Sequence, residues 1–181
     1  MSFPYAPLAP SAVQPVDALD ILGAGTDLLA AIKATFAVMG VRLPERVGLV
    51  PGGSVAFDSD QLTVNLEGIT RGVPGRPDGQ WETPASTIQY VQFDVYLLRE
   101  VATVKDGLPG GDTTAPTVSQ LSNDFSRLAA DAANLWAAIV AIHASYALAP
   151  AGAPFVYGPL LPVGPEGALS GCRVSVYWSK F

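Results

Sequence analysis

The sequence predicts an α+β fold, in which a mostly antiparallel sheet packs against an N-terminal helix and a long helix in the C-terminal half of the chain. Three observations carry this prediction. Apolar residues recur at intervals of three and four in two segments, which is typical of helices. They alternate with polar residues in other segments, which is typical of half-buried strands. The segments follow one another as helix, strands, long helix and strand.

The chain has 181 residues, a length that fits one domain with an arm. Residues 1–16 carry no charge and are predicted to form an extended, polyproline-like arm. Its prolines are Pro4, Pro7, Pro10 and Pro15. The arm also holds Phe3, Tyr5 and Leu8, so two interpretations stay open: a solvated tail, or an arm that packs on a neighbouring subunit. Residues 17–181 are predicted to form a single α+β domain.

The first predicted helix follows Asp17 and Asp20 and ends at Gly40, a good C-terminal stop. Its start is ambiguous because Gly23 and Gly25 disfavour a helix, so that a cap at Thr26 or Asp27 would give a shorter one.

The predicted strands occupy four segments, and each is judged from alternation or from β-forming residues. The third spans seventeen residues, more than strands usually have, so we expect a bend or a projecting hairpin there. In chain order the strands are 47–50, 61–71, 88–104 and 173–179, with a proline-broken extended segment at 155–163 and flexible loops at 72–84 and 105–115.

The long helix is predicted over residues 116–146, and its second half is apolar nearly all round. A helix that is apolar on every side is expected to be buried on every side, which in a chain of this size indicates help from another subunit. The segment 128–149 is the nearest to a membrane span, but it contains Asp131, which is costly in lipid. We therefore predict a buried or subunit-facing helix and no membrane partner.

Charged residues make up only 14% of the chain, against about 25% in an average soluble domain. The net charge is −6, and the ten Lys and Arg residues form no run. This composition excludes a nucleic-acid-binding role that depends on clustered basic residues. Tryptophans interleaved with basic residues, as in a base-stacking platform, are also missing.

Few residues could carry catalysis or bind a metal. Cys172 is the only cysteine, which excludes an intrachain disulfide and a cysteine-based metal site. His143 is the only histidine and is expected to be a packed core residue. Asp58 and Asp60 resemble a calcium-loop fragment only weakly, and we expect a solvated turn there. Gly23-Ala24-Gly25-Thr26 lacks a P-loop lysine, and 158–167 is expected to be a shaped loop without a phosphate. The prediction is a protein that is not an enzyme, with no cofactor and no metal.

Contacts with subunits or partners are expected from the arm and the two loops. Trp81 has two open interpretations, a partner contact or packing over the sheet. The N-terminus lacks the basic region of a signal peptide, so no targeting segment is expected. The candidate contact residues are Phe3, Tyr5, Leu8, Arg76, Trp81, Asp106 and Asp112.

Several stretches, in the same order over residues 27–178, resemble tail terminator proteins of long non-contractile-tailed phages that infect actinobacteria. Ser59 departs from the pattern, since many relatives are expected to have Cys there. The stretches are Leu-Pro-Glu-Arg (43–46), Val-Ala-Phe-Asp-Ser-Asp-Gln-Leu-Thr-Val-Asn-Leu (55–66), Phe-Asp-Val-Tyr-Leu-Leu-Arg (93–99), Ala-Asn-Leu-Trp (133–136) and Gly-Pro-Leu-Leu-Pro-Val-Gly-Pro-Glu-Gly (158–167).

The resemblance implies a lambda-type α/β subunit in a hexameric ring, located in the virion at the tail–neck junction and made in the host cytoplasm. Such a ring caps the tail tube, stops its polymerisation and joins the tail to a head-to-tail stopper or neck protein. Genomic DNA passes through the lumen without specific binding, which suits an acidic wall.

Three alternatives remain open from the sequence: a head-to-tail stopper or other neck ring protein, a hydrolase that uses His143 or the Asp58/Asp60 pair, and a soluble binding module of a host.

Overall fold

The computed structural model describes residues 18–52, 59–71, 89–104, 115–147, 155–166 and 168–179. Within these residues, two helices and five strands form an α+β fold. They are α1 (Ala18–Val38), β1 (Arg46–Pro51), β2 (Gln61–Arg71), β3 (Gln89–Glu100), α2 (Val118–Ala147), β4 (Phe155–Glu166) and β5 (Leu169–Ser179).

The five strands form one mixed sheet in the order β1-β2-β3-β5-β4. β1 runs parallel to β2, and the other three neighbouring pairs are antiparallel. The prediction of an α+β fold with a mostly antiparallel sheet is therefore confirmed. The central strands β2, β3 and β5 hold the middle of the sheet, and β1 and β4 are its edges.

Both helices pack against the same face of the sheet, and the core lies between them and the strands. The predicted alternation in β3 is confirmed, because Val91, Phe93, Val95 and Leu97 are all buried on the helix-covered face. The helices and the neighbouring strands contribute the remaining large, fully buried members of this core: Leu28, Ile32, Phe36, Leu62, Val64, Leu135, Ile139 and Val174.

Helix α1 begins at Ala18, so the shorter alternative with a cap near Thr26 is wrong. Gly25 lies inside the helix because it faces the sheet closely. A Cβ added there would be 3.2 Å from Cε1 of Phe93. The predicted stop is confirmed, since Gly40 has a φ of 70° and ends the helix in the left-handed region.

Strand β3 ends at Glu100 and does not reach Val104, so the expected bend or projecting hairpin is not needed in the described residues. The reason is that the next backbone groups have other partners. The Val101 amide donates to the Ala168 carbonyl at 2.7 Å, and the Ala102 amide donates to Oδ2 of Asp124 in α2 at 2.7 Å. These bonds turn the chain from the sheet toward α2.

The C-terminal part forms a longer hairpin than predicted. β4 includes most of the segment expected to be a shaped loop, so that interpretation of 158–167 is wrong. β4 is an edge strand with a neighbour on one side only. Prolines such as Pro159 and Pro162 are tolerated there, because the backbone N–H groups that they lack are not needed for a second neighbouring strand. β5 begins at Leu169 instead of residue 173. A Cβ on Gly171 would overlap the Leu97 carbonyl, so β3 and β5 approach closely at this glycine.

Helix α2 starts with a capping box, in which the Gln120 amide donates to Oγ1 of Thr117 at 3.2 Å and the Thr117 amide donates to Oε1 of Gln120 at 2.8 Å. The second half of α2 is buried on one side only. Trp136 and Val140 remain 39% and 38% exposed, so the expectation of burial on every side is wrong within the single chain.

Candidate functional site

The seven residues predicted as subunit or partner contacts all lie outside the described residues, in the arm and the two loops. Their predicted role therefore stays a prediction. They are Phe3, Tyr5, Leu8, Arg76, Trp81, Asp106 and Asp112.

A buried ion-pair cluster joins the sheet to α2. Arg99 at the end of β3 donates through Nε to Oδ2 of Asp131 at 2.8 Å and through a terminal nitrogen to Oδ1 at 3.3 Å. A second carboxylate, Asp60, lies 3.4 Å from the guanidinium. The Arg42 carbonyl accepts a further hydrogen bond at 3.3 Å. Arg99 and Asp131 are both buried, so this cluster is a fixed part of the fold.

The charge of Arg99 is favoured although the residue is buried. Burial by itself lowers the pKa of Arg99, but the hydrogen bonds and charges of Asp131 and Asp60 outweigh it and raise the pKa. Asp60 is partly exposed, as expected for a solvated turn, but its Oδ1 also accepts the Glu100 amide at 2.5 Å, which ties this segment to the end of β3. The sequence analysis did not identify this cluster. The available signal was one charged residue in each of two largely apolar stretches, Arg99 near the end of β3 and Asp131 near the middle of α2.

A cleft of about 860 Å³ opens beside this cluster. Its lining combines three arginines, Arg42, Arg99 and Arg127, with four carboxylates, Glu45, Asp60, Glu100 and Asp131. The charges nearly balance, and the deepest of them are already paired. The cleft therefore favours neither a bare anion nor a bare cation.

The sheet face opposite the helices is polar but substantially buried. Asn65 and Asp94 are 0% and 2% exposed, and Arg173 binds Oδ2 of Asp94 at 3.2 Å. Burial, and then the charge of Asp94, raise the pKa of Glu67 on the same face, while Arg173 lowers it. Oδ1 of Asp94, Oγ1 of Thr63 and both polar side-chain atoms of Asn65 have no hydrogen-bond partner among the described residues. Unused buried hydrogen-bonding groups destabilise a fold.

His143 lies in an aromatic cluster. Its ring and that of Trp136 both contact Tyr157 of β4 edge to face, with centroid separations of 5.2 Å. Trp136 lies at the half-exposed margin of α2, in the half of the helix that the sequence predicts to be buried on every side. His143 packs against Tyr157 but is only half-buried, so the prediction of a core histidine is confirmed only for its packing.

The described residues contain no group of three or more His, Cys, Asp or Glu side chains that could hold a metal ion. Cys172 is buried in the core as a free thiol. Burial, and secondarily the charge of Asp131, raise its pKa to about 12. A thiol with this pKa stays protonated at neutral pH and is a poor nucleophile.

A stripe of large apolar side chains lies exposed along the first half of α2. Val118, Leu121 and Phe125 are 81%, 50% and 74% exposed and follow helical spacing. We call these three residues the α2 stripe. Large apolar side chains grouped on one surface typically mark a contact with another molecule.

A second apolar feature is a pocket of about 410 Å³ between the start of α1 and the edge of the sheet. We call it the α1–β1 pocket. Leu22 and Leu49 form its rim and are 56% and 36% exposed. Its walls include Ile21, Val64, Leu66 and Phe93, and none of the described residues that line it is charged.

Both helices, over Ile21–Val38 and Val118–Ser145, are long and apolar enough to cross a membrane by length and composition. Core helices of soluble proteins meet the same criterion. In α2, Asp131 is committed to the ion pair with Arg99 of the sheet, and a charged residue at mid-span is costly in lipid. We interpret both as core helices, and the absence of a membrane partner stays a prediction.

No protein-family profile matches this chain, and no curated protein sequence is significantly similar to it. Function is therefore argued from the surfaces and clusters described above, together with the sequence resemblance.

Proposed function

We propose that this chain is a structural virion protein, a tail terminator that forms a ring on the last layer of a phage tail tube. The ring stops tube polymerisation and joins the tail to the neck protein above it. Genomic DNA passes through its lumen without specific binding. The subunit is proposed to be of the lambda type, for which the α+β fold is suitable.

The observation that carries this proposal is the α2 stripe. Phe125 is 74% exposed and Val118 is 81% exposed, in the first half of a helix whose second half is anchored in the core through Leu135 and Ile139. Water contact with such side chains is unfavourable by about 25 cal/mol per Å² of apolar surface. A ring in which each copy covers the α2 stripe of the next would remove this surface from water, as closed cyclic assemblies do.

Charge supports the same proposal. The chain has a net charge of −6 with no run of basic residues. An acidic wall repels DNA phosphates, so DNA would move through a lumen without adhering to it. A protein that holds DNA in place would need the opposite charge.

The chemistry of the described residues also fits a structural role better than catalysis. Asp60 and Asp131 are engaged with Arg99, and His143 packs against Tyr157. The two described groups that a hydrolase would use, Asp60 and His143, therefore have partners within the fold, in the part of the chain that the structure describes. Asp58, the other member of the suggested pair, lies outside it.

The test is to mix the purified chain with the tail-tube protein of the same phage and to image the product by electron microscopy. A terminator caps tubes with a closed ring at one end and arrests their growth. A stopper or other neck protein would leave free tubes uncapped and bind only after a terminator is present. Monomers both in solution and on tubes would contradict the ring.

A further inference from the structure

The α1–β1 pocket has the shape and chemistry of a receptor for an apolar segment. Its volume is about 410 Å³, room for more than one bulky side chain, and its lining among the described residues is uncharged. Leu22 and Leu49 stand at its rim, exposed, where a bound segment would cover them. Gly25 lies in its wall and widens it, because a Cβ there would contact Phe93 and Leu49.

The chain itself contains a segment that suits this pocket. Residues 1–16 carry no charge and include Phe3, Tyr5 and Leu8. An uncharged segment enters an uncharged pocket without leaving a buried charge unpaired. We propose that the N-terminal arm, residues 1–16, of a second copy of this chain binds in the α1–β1 pocket.

The length of the arm favours binding to the pocket of a second copy over binding to the pocket of its own chain. The pocket begins at Ile21, three residues or about 4.5 Å along the helix from Ala18. The prolines at 4, 7, 10 and 15 favour an extended arm, which at 3.1 Å per residue spans roughly 50 Å. If the arm has the extended conformation that its prolines predict, its apolar residues lie beyond a pocket at its own base, and the pocket that they meet belongs to another copy.

This inference rests on the proposed ring and adds the contact that joins one copy to the next. Each copy would give an arm and receive one, a head-to-tail arrangement that closes when the rotation between copies closes. The α2 stripe and the arm contact lie on different elements, so that either can be altered without the other.

The test uses full-length chains with engineered cysteines and two different affinity tags. One chain carries Ala6→Cys in the arm, and the other carries Leu49→Cys at the pocket rim. Cys172 stays in place because it is buried. After mixing and mild oxidation, the expected product is a disulfide-linked pair that contains both tags. Val38→Cys, at the far end of α1 and 89% exposed, replaces Leu49→Cys as the matched control and is expected to give at most a tenth of that yield.

A second variant tests the pocket without touching the arm. Leu22→Glu puts a charge at an exposed rim position, so the fold is retained while the linked yield falls at least fivefold. Val38→Glu on the same helix is the control and leaves the yield unchanged. Circular dichroism and the melting temperature of each variant confirm that the fold is intact.

Two results would overturn the inference. One is an intrachain disulfide in a chain carrying both Ala6→Cys and Leu49→Cys and diluted into excess wild-type chain, since the arm would then bind its own pocket. The other is the absence of any linked product. Electron microscopy of the same samples, with and without tail tubes, separates the two proposals: rings without the link contradict only the arm contact, whereas monomers both in solution and on tubes contradict the ring as well.

Discussion

Arg99 shows how a single side chain holds two layers of this fold together. It is buried, and its charge is compensated by Asp131 from α2 and Asp60 from the segment before β2. An ion pair of this kind adds little to stability compared with an apolar replacement, but removal of one partner leaves a buried charge without compensation. The cluster therefore matters most when it is broken on one side.

Asp131→Ala is expected to lower the free energy of unfolding by about 3 kcal/mol, because Arg99 would keep only the longer contacts to Asp60 and to the Arg42 carbonyl. Urea denaturation followed by circular dichroism measures it. Glu45→Ala, an exposed change in the same cleft, is the matched control and should stay within about 0.5 kcal/mol. Equal small effects from both changes would mean that Arg99 is solvated and the cluster is not buried.

The contribution of Cys172 to the free energy of unfolding is predicted to depend on pH. Burial raises the pKa of its thiol from 9.0 to about 12, so the folded state holds this proton more tightly than the unfolded state does. The resulting stabilisation is complete below pH 9 and is lost as pH rises toward 12. The stability of the wild type minus that of Cys172→Ala should therefore shrink above pH 9 in urea denaturation, and a flat difference would contradict the raised pKa.

At the scale of elements, close approach of β3 and β5 depends on Gly171. Gly171→Ala puts a methyl group against the Leu97 carbonyl and 2.9 Å from Cα of Leu98, both on the neighbouring strand. Overpacking of this kind destabilises by about 1–3 kcal/mol. Gly48→Ala in β1 is the matched control, since nothing lies within 4 Å of a Cβ there. The melting temperature should fall for Gly171→Ala alone, and equal values for the two variants would contradict the close approach.

The α2 stripe carries a prediction about assembly. Phe125→Glu places a charge on a surface that is 74% exposed, so the fold should survive while association weakens at least tenfold. Asn123→Glu, an exposed polar position on the same helix, serves as the control. Sedimentation velocity measures the distribution of species. An unchanged distribution for Phe125→Glu would remove the stripe from the interface.

The elements differ in how far the sequence could predict them, and the reasons are physical. β2 was predicted with its observed bounds because apolar and polar residues alternate from Leu62 to Glu67, ahead of the register shift at Gly68. The start of α1 was not predicted unambiguously. In the sequence, Gly25, which lets the helix lie close to Phe93, cannot be distinguished from a glycine that breaks a helix. The end of β3 depends on hydrogen bonds to Ala168 and Asp124, which are distant in sequence.

The candidate surfaces, like the elements, could be predicted only where the signal lies within one segment of the sequence. The apolar character of α2 was visible in the sequence, but which of its sides remains exposed depends on packing against β5 and α1. The cleft beside Arg99 and the α1–β1 pocket are formed by segments distant in sequence, so periodicity within one segment gave no sign of either. The sequence resemblance implied a ring but did not indicate where the N-terminal arm would bind.

At the scale of the whole molecule, three features support the proposed assembly. The apolar helix α2 is only half covered, the described lining of the α1–β1 pocket holds no charged side chain, and the net charge is acidic. A ring uses all three, since neighbours would cover the helix, an arm would fill the pocket and the acidic charge would line a passage for DNA. The central claim is that this ring ends tail-tube growth.

If the proposed terminator function holds, the most direct test is the length of the tails that the encoding phage makes when the reading frame of this chain is interrupted. Electron microscopy of the lysate should show tubes that grow past the normal tail length and lack heads, and expression of the chain from a plasmid should restore both length and joining. Tails of normal length in the absence of the chain would contradict the terminator function.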